Sequence, residues 1–442
     1  IEKFGAIGDG VADDYLPIQA AFNACKSVLI PKGGNFKTTT QINATSDNFT
    51  LTISGKLFGS FGSVPQALLV FSKTPPIVGS TSYVEPTGTI DDLNIIFDGG
   101  ELDWGVNGTS FVYNYGAVQS YWTYHTLYID RGLRFKISGV GLLSNALIGN
   151  LQCRRAQNSD AIASLVLDGN VWDNSASFTS SPELTGFGTG DDATLWNNCT
   201  IKNLTIYNAP SYGINTFNTI NVTFENIKCI DCDKGFSAEN TFDREVESRT
   251  NFNSCEALDC TGVSTDVNND RSGTGFVIEA GGTIIDSKCK VTNSDIGVRV
   301  IQARGVVLDL AINTMINYGV YVSQNGTVSP EVVFGSSFKA EYTGDVGVYS
   351  RGANILTFCD GAQIRFNTGY AIYPSNSGGV NYNQDEGILN IGKIVSTANL
   401  GIRTNNFKLV NINNPIMFVN NTKGIDVRST LNCKIINPNI FD

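Results

Sequence analysis

The sequence predicts an all-β solenoid: short parallel coils stacked in one direction, with a single helix at the start. Three observations carry this. A phrase of a small residue followed by a β-branched or aromatic one returns at Gly213-Ile214, Gly235-Phe236, Gly275-Phe276, Gly297-Val298, Gly319-Val320, Gly347-Val348, Ala371-Ile372, Gly401-Ile402 and Gly424-Ile425. The intervals are 22, 40, 22, 22, 28, 24, 30 and 23 residues, a period near 22 lengthened by insertions. The segments between phrases alternate apolar with polar and lack helical spacing, as strands do.

Residues 1–47 read as a capping module. Phe4-Gly5-Ala6-Ile7-Gly8-Asp9-Gly10 is a strand edge running into a glycine turn. Asp13 or Asp14 is placed to cap a helix whose apolar positions Ile18, Ala21, Phe22 and Cys25 keep i, i+3, i+4, i+7 spacing. Pro17 fits the first turn, and Val28-Leu29-Ile30 forms a strand after it. Such a helix covers the open end of a solenoid, which would otherwise expose unpaired strand edges. Residues 48–442 then read as one solenoid, interrupted near 72–90 and by an aromatic insertion near 104–126 that contains His125 at its margin.

The phrase also assigns side chains to faces. Counting from the glycine, positions +1 and +3 are apolar or small, as in Phe276/Ile278 and Val298/Val300. Alternate residues of a strand point to opposite faces, so +1 and +3 point inward and +2 and +4 outward. Cys229, Cys255 and Cys289 fall at similar places in successive repeats and read as stacked, buried thiols. Cys232 and Cys260 are spaced to lie on neighbouring coils, where a pairing is open.

A net charge of −11 argues against nucleic acid as the main partner, while leaving room for an anionic polymer in a local basic groove. No run of about 20 apolar residues suggests membrane insertion. No metal site or cofactor is expected: the chain has one His, and in the segment opening at Asp266, Arg271 and Val277 stand where a calcium loop requires Gly and Glu. Asn-X-Thr triplets such as Asn221-Val222-Thr223 give slight support to secretion.

Two acidic clusters are candidates for catalysis. Extending the register upstream aligns Ser159-Asp160-Ala161-Ile162 and Asp191-Asp192-Ala193-Thr194 with Ser211-Tyr212-Gly213-Ile214 and Asp233-Lys234-Gly235-Phe236. This stacks Asp160, Asp192, Tyr212 and Lys234 on consecutive coils, with Asp191 beside them. Three clustered carboxylates repel one another and favour one that keeps its proton, the combination glycoside cleavage needs. Equally, an Asp before a turn caps backbone N–H groups. The second cluster is Glu239 with Glu279, both at outward position +4 of adjacent repeats. Its bland reading is a solvated edge, with the acids paired to Arg244 or Arg249. Arg154 and Arg155 could hold the carboxylates of an acidic sugar. Position +2 reads Arg299, Tyr321, Tyr349, Tyr373 and Arg403, which suits either sugar binding or an aromatic ladder that stabilises the sheet.

Phe4-Gly5-Ala6-Ile7-Gly8-Asp9-Gly10-Val11-Ala12-Asp13-Asp14, followed by Ile18-Gln19-Ala20-Ala21, resembles the opening of the pectate-lyase-like family. That resemblance implies a right-handed parallel β-helix, a fold shared by bacteriophage tailspikes and secreted polysaccharide-degrading enzymes. Asn158-Ser159-Asp160, Gly190-Asp191-Asp192 and Ser211-Tyr212-Gly213 are similar to the polygalacturonase series. Ser159 and Tyr212 depart from it, standing where that series has Thr and His. The likeness to tailspikes implies a homotrimeric hydrolase on a virion tail, cleaving a bacterial surface polysaccharide, with anchoring and trimer-locking segments upstream and downstream. A secreted location is the alternative. A lyase that abstracts the C5 proton of a uronic acid, with help from Lys234, Arg154 or Arg155, remains a competing enzyme. A non-catalytic adhesin remains the competing class.

Overall fold

The structure is a computed structural model that describes residues 1–61, 66–78, 88–105, 125–144, 149–154, 160–168, 185–188, 196–209, 212–217, 219–239, 250–262, 273–324, 328–352, 354–375, 387–393, 395–405, 407–419, 424–428, 430 and 432–441. Among these one α-helix, α1 (Tyr15–Ala24), accompanies strands that pair in parallel. The chain divides into two compact units, Ile1–Phe217 with Glu225–Cys232, and Asn218–Phe224 with Asp233–Asp442.

In the first unit α1 buries Ile18, Ala21 and Phe22, and the Phe22 ring meets Phe49 at 5.3 Å. Cys25 lies just past the helix end, half-buried. Asp14 occupies the N-cap position but does not cap the helix. Its carboxylate accepts from the Ile7 and Gly8 N–H groups at 2.6 and 3.1 Å, tying the glycine turn to the helix start. Asp13 instead accepts from Tyr15 N at 3.1 Å. Coiling begins inside the capping module: Ser27–Ile30 pairs with Thr50–Ile53, and Asn35–Thr38 with Lys56–Gly59.

Beyond it, the long strands Asn94–Asp103, Lys136–Ser144, Asp160–Asp168 and Trp196–Tyr207 stack one on the next. They cover two faces of each coil by bending. At Gly139, φ is +93° and an added Cβ would stand 1.8 Å from the Phe97 carbonyl oxygen, so only glycine fits the bend. Shorter strands form a separate ladder: Ile42–Ala44, Leu69–Phe71, His125–Asp130, Gly149–Arg154, Thr185–Gly188 and Tyr212–Phe217. Lys56 bonds to both Glu101 and Asp103 at 2.8 Å on the outer wall. Burial alone would lower its ammonium pKa, but the two carboxylates outweigh burial and raise it.

The second unit makes its coils from three strands, two of which merge farther along into the single long strands Gln363–Ser375 and Val395–Asn405. One wall carries the glycine phrase, in Lys234–Glu239, Thr274–Ile278, Ile296–Ile301, Tyr318–Ser323, Val346–Arg351 and the strands after them. Its inward +1 column runs Phe236, Phe276, Val298, Val320, Val348, Ile372 and Ile402 in register, all buried. The Phe236 and Phe276 rings stack at 4.6 Å. Each fully buried side chain of this size stabilises the fold by roughly 1.5–3 kcal/mol. The glycine itself also faces the core. A Cβ at Gly297 would lie 2.5 Å from the Gly319 carbonyl oxygen and 2.6 Å from Ile312, and the coils above and below repeat this approach. Two successive residues therefore point inward, so the residue before the glycine points outward.

The cysteines are all free. Cys232 and Cys260 do not pair: each thiol turns to the carbonyl two residues back, that of Ile230 at 3.5 Å and Leu258 at 3.9 Å. Cys255 and Cys289 are buried and stacked, Cys255 N donating to Cys289 Sγ at 3.2 Å. Cys255 and burial together push the Cys289 thiol far above its ordinary pKa, which keeps it protonated and inert.

Gly297→Ala should destabilise the second unit by about 1–3 kcal/mol, since neither the Gly319 carbonyl nor Ile312 can withdraw from a stacked coil. Thermal and denaturant melts measure it. An unchanged melt would show that the coils part easily at this wall.

Candidate functional site

Outward residues of the glycine wall form three columns, because parallel strands in register place equivalent side chains about 4.8 Å apart. The column before the glycine runs Lys234, Thr274, Ile296, Tyr318 and Val346. Position +2 runs Ser237, Val277, Arg299, Tyr321, Tyr349 and Tyr373 in direct register, and then Arg403, itself paired with Asp426. Position +4 begins with Glu239 and Glu279 and continues to Ile301, Ser323 and Arg351.

The first three coils of this wall gather charge out of water. Lys234 is 1% exposed, Glu239 8%, Glu279 2% and Arg299 5%, so the solvated-edge reading of the two glutamates does not hold. Glu239 and Glu279 follow the paired residues Ala238 and Ile278, and Glu279 N donates to Ala238 O at 2.7 Å, which puts the two carboxylates on adjacent rungs. Ser237 Oγ donates to Glu239 Oε1 at 2.9 Å. Lys234 Nζ bonds the carboxylate of its neighbour Asp233, also buried, which accepts from Gly273 N at 3.3 Å as well. Ions so buried need partners, since desolvation costs several kcal/mol each. Lys234 is therefore held in an ion pair, a role its position in the sequence does not announce.

Farther along, the same wall becomes aromatic and half-buried. Arg299 lies 4.7 Å over the Tyr321 ring. Tyr321 and Tyr349 are 5.3 Å apart, Tyr318 and Tyr349 5.4 Å, Tyr349 and Tyr373 5.7 Å, and Tyr370 and Tyr373 5.1 Å. Arg403 closes the row, 5.1 Å from the Tyr373 centroid, donating to Tyr370 Oη at 3.0 Å. Tyr318 stacks on Tyr349 at 21°, Tyr321 and Tyr349 tilt at 30°, and Tyr349 meets Tyr373 edge to face at 68°, while guanidinium groups lie over Tyr321 and Tyr373, contacts that stabilise a ladder. Ring edges and hydroxyl groups remain at the surface. Tyr318 and Tyr370 were not among the residues marked by the +2 pattern. Their signal is their place just before Gly319 and Ala371, which faces outward once the small residue faces in. Burial, followed by the neighbouring Tyr321, raises the Tyr349 pKa, and burial with Asp345 raises that of Tyr318.

The first acidic cluster has a different register from the one its sequence suggests. Asp160 opens a strand that pairs with Lys136 on one side and Thr200 on the other. Tyr212 belongs to the other ladder, opposite Thr185, which follows Gly149 and His125. Asp160 and Tyr212 therefore do not stack. The four-residue match was too short to set register; the nine-residue strand Asp160–Asp168, with Leu165 and Leu167 buried, pairs with strands of its own length. Arg154 ends its strand opposite Asp130. Arg155, Asp191, Asp192, Arg244, Arg249, residues 266–271 and most of the aromatic insertion lie outside the described residues. Tyr212 is buried in its own unit. Among the described residues no three His, Cys, Asp or Glu side chains gather as a metal site would require, and no helix is long and apolar enough to cross a membrane.

No protein-family model matches the chain, and no curated protein matches it in sequence. Solved structures do match. The tailspike of Escherichia coli bacteriophage HK620, a mutant in complex with a hexasaccharide, is similar at a TM-score of 0.50 and 9% identity over 96% of this chain and 75% of that one. The Streptococcus pneumoniae surface protein and adhesin PfbA gives 0.48 and 11% over 98% and 99%. The A-module of Azotobacter vinelandii mannuronan C-5 epimerase AlgE6 gives 0.45 and 13% over 98% of each chain. The tailspike likeness shows the fold, a right-handed parallel β-helix.

Two outcomes follow from the wall's electrostatics. Lys234→Met, which leaves the buried Asp233 carboxylate without its ammonium partner, should cost about 3–5 kcal/mol. Adding Asp233→Asn should recover part of that loss, and a double-mutant cycle with no coupling would show the pair to be idle. In an alkaline titration followed by ultraviolet absorbance, Tyr349 and Tyr318 should ionise late. Because their pKa values are raised in the folded state, the stability they contribute is complete below pH ~10 and lost above it. Tyr349→Phe should remove one late step, and a titration identical to the parent's would contradict the ladder's geometry.

Proposed function

We propose that the protein is a tailspike-type depolymerase that hydrolyses glycosidic bonds in a bacterial surface polysaccharide, capsule or O-antigen, with Glu239 and Glu279 as its carboxyl pair. The observation that carries this reading is the placement of the two glutamates on adjacent outward rungs, nearly excluded from water, with the buried Arg299 one rung beyond Glu279. Glycoside hydrolysis asks for two carboxyl groups: one gives a proton to the leaving oxygen, and the other attacks the anomeric carbon or activates water. Backbones about 4.8 Å apart set these two groups near the ~5–5.5 Å of retaining enzymes rather than the ~6.5–9.5 Å of inverting ones. Exclusion of water strengthens each charge at the reacting bond. Arg299, one rung beyond Glu279, supplies positive charge that can balance the pair.

The tailspike that shares this fold is described in complex with a hexasaccharide, which supports a saccharide as the ligand class. A homotrimer on a virion tail is the assembly that accompanies this reading, and light scattering on the purified chain tests the trimer.

Purified protein incubated with capsular and O-antigen polysaccharides should release new reducing ends with retained anomeric configuration, read by NMR. Glu239→Gln and Glu279→Gln should each slow release by about 10²–10⁴-fold while preserving the circular dichroism spectrum. Parent-like cleavage by both variants would move the chemistry to Asp160, Asp191 and Asp192, tested by their Asn variants. Unsaturated uronate ends in place of reducing ends would make the enzyme a lyase. Binding without shortening would make it an adhesin.

A further inference from the structure

The tyrosine ladder of the second unit presents chemistry that ring packing does not use. Tyr321, Tyr349 and Tyr373 occupy the same position on three consecutive coils. Tyr321 and Tyr349 pack tilted at 30°, Tyr349 meets Tyr373 edge to face at 68°, and Arg299 and Arg403 lie over Tyr321 and Tyr373. No hydroxyl of these three rings bonds to another residue among those described, and all three rings are only half-buried. A ladder that served the sheet alone would work as well with phenylalanine, which has the same ring and no group to solvate. Here the wall carries a straight row of phenol groups about 10 Å from end to end, with a guanidinium at each end.

We infer that this row is a binding strip for an extended glycan chain lying parallel to the solenoid axis. Each phenol gives and accepts one hydrogen bond to the hydroxyl groups of successive sugar rings. The neighbouring ring centroids, 5.3 and 5.7 Å apart, match the length one pyranose adds to an extended glycan, so a single repeated contact can serve each sugar in turn. The hydroxyl groups rather than the ring faces are the binding groups, since Arg299 and Arg403 lie over Tyr321 and Tyr373 and the Tyr318 and Tyr321 rings pack on Tyr349. Glu279 and Tyr321 lie on the same wall two rungs apart, about 10 Å, so the strip holds the polymer to one side of the acid pair. This placement rests on the proposed hydrolysis at Glu239 and Glu279, whereas binding by the strip does not. An enzyme so built cuts inside a chain and releases fragments several sugars long, not single sugars.

The test uses the full chain carrying Glu239→Gln and Glu279→Gln, so that ligand is held without turnover. The probe is an array of purified capsular and O-antigen polysaccharides printed beside dextran and polygalacturonate. The acid-pair variant should retain at least one of these glycans. Adding Tyr321→Phe, Tyr349→Phe and Tyr373→Phe should weaken that binding at least about tenfold, since each hydrogen bond is worth roughly a factor of two to ten. The triple change keeps the rings, so the melting temperature should stay where it was. In the active parent background the same triple change should also raise KM more than it lowers kcat. Unchanged binding by the triple variant, or retention of no glycan at all by the acid-pair variant, overturns the strip. A parent that binds through the strip but cuts nothing sinks the hydrolase and leaves the strip standing. Cleavage that is lost in the acid variants yet indifferent to the three hydroxyl groups does the reverse.

Discussion

Parallel pairing in register is the constraint on which the structure depends. Once a coil's backbone amides bond to the coil below, every residue is fixed above its equivalent at about 4.8 Å. Chemistry that would be a single side chain elsewhere becomes a column. Inward, that multiplies apolar contact: Phe236 on Phe276, then valine on valine and isoleucine on isoleucine. The same rule calls for glycine at Gly235, Gly275, Gly297 and Gly319, where the next coil's carbonyl stands 2.5–2.7 Å from where a Cβ would be. Because that residue turns inward with its successor, the outward face gains a third column, and with it Lys234, Tyr318 and Tyr370.

Outward, stacking concentrates like with like, and the wall resolves the consequences in two ways. Where two glutamates stand on adjacent rungs, the wall is closed to water, and the Arg299 guanidinium lies in the neighbouring column one rung on. Such an arrangement costs desolvation energy that a simple structural wall would avoid by using apolar residues. Its presence on an otherwise economical scaffold is the strongest physical argument that those coils serve chemistry. Where tyrosines stand on consecutive rungs, their rings pack on one another, tilted or edge to face, and their hydroxyl groups stay at the surface. Charge and aromatic row thus sit on one face of one unit, in the order a polymer lying along the axis would meet them.

The sequence by itself determined the solenoid, its period, the apolar inward columns, the helix at the start, and the membership of the +2 and +4 columns from Arg299 and Glu239 onward. These are legible because they repeat: a period of 22 confirms each assignment many times, and alternation along a strand needs no tertiary knowledge. Where repetition failed, reading failed with it. The four residues from Ser159 to Ile162 looked like another glycine phrase, yet Asp160 begins a longer strand on a different ladder, away from Tyr212. Only the tertiary structure decided register there, because long strands bent at glycines cover two faces of a coil, and a local match cannot say which face comes next. Only the tertiary structure, too, decided burial. Nothing local distinguishes a solvated Glu279 from one that is 2% exposed, or a free Lys234 from one bound to Asp233, since water is excluded by what packs over a residue and not by the residue itself.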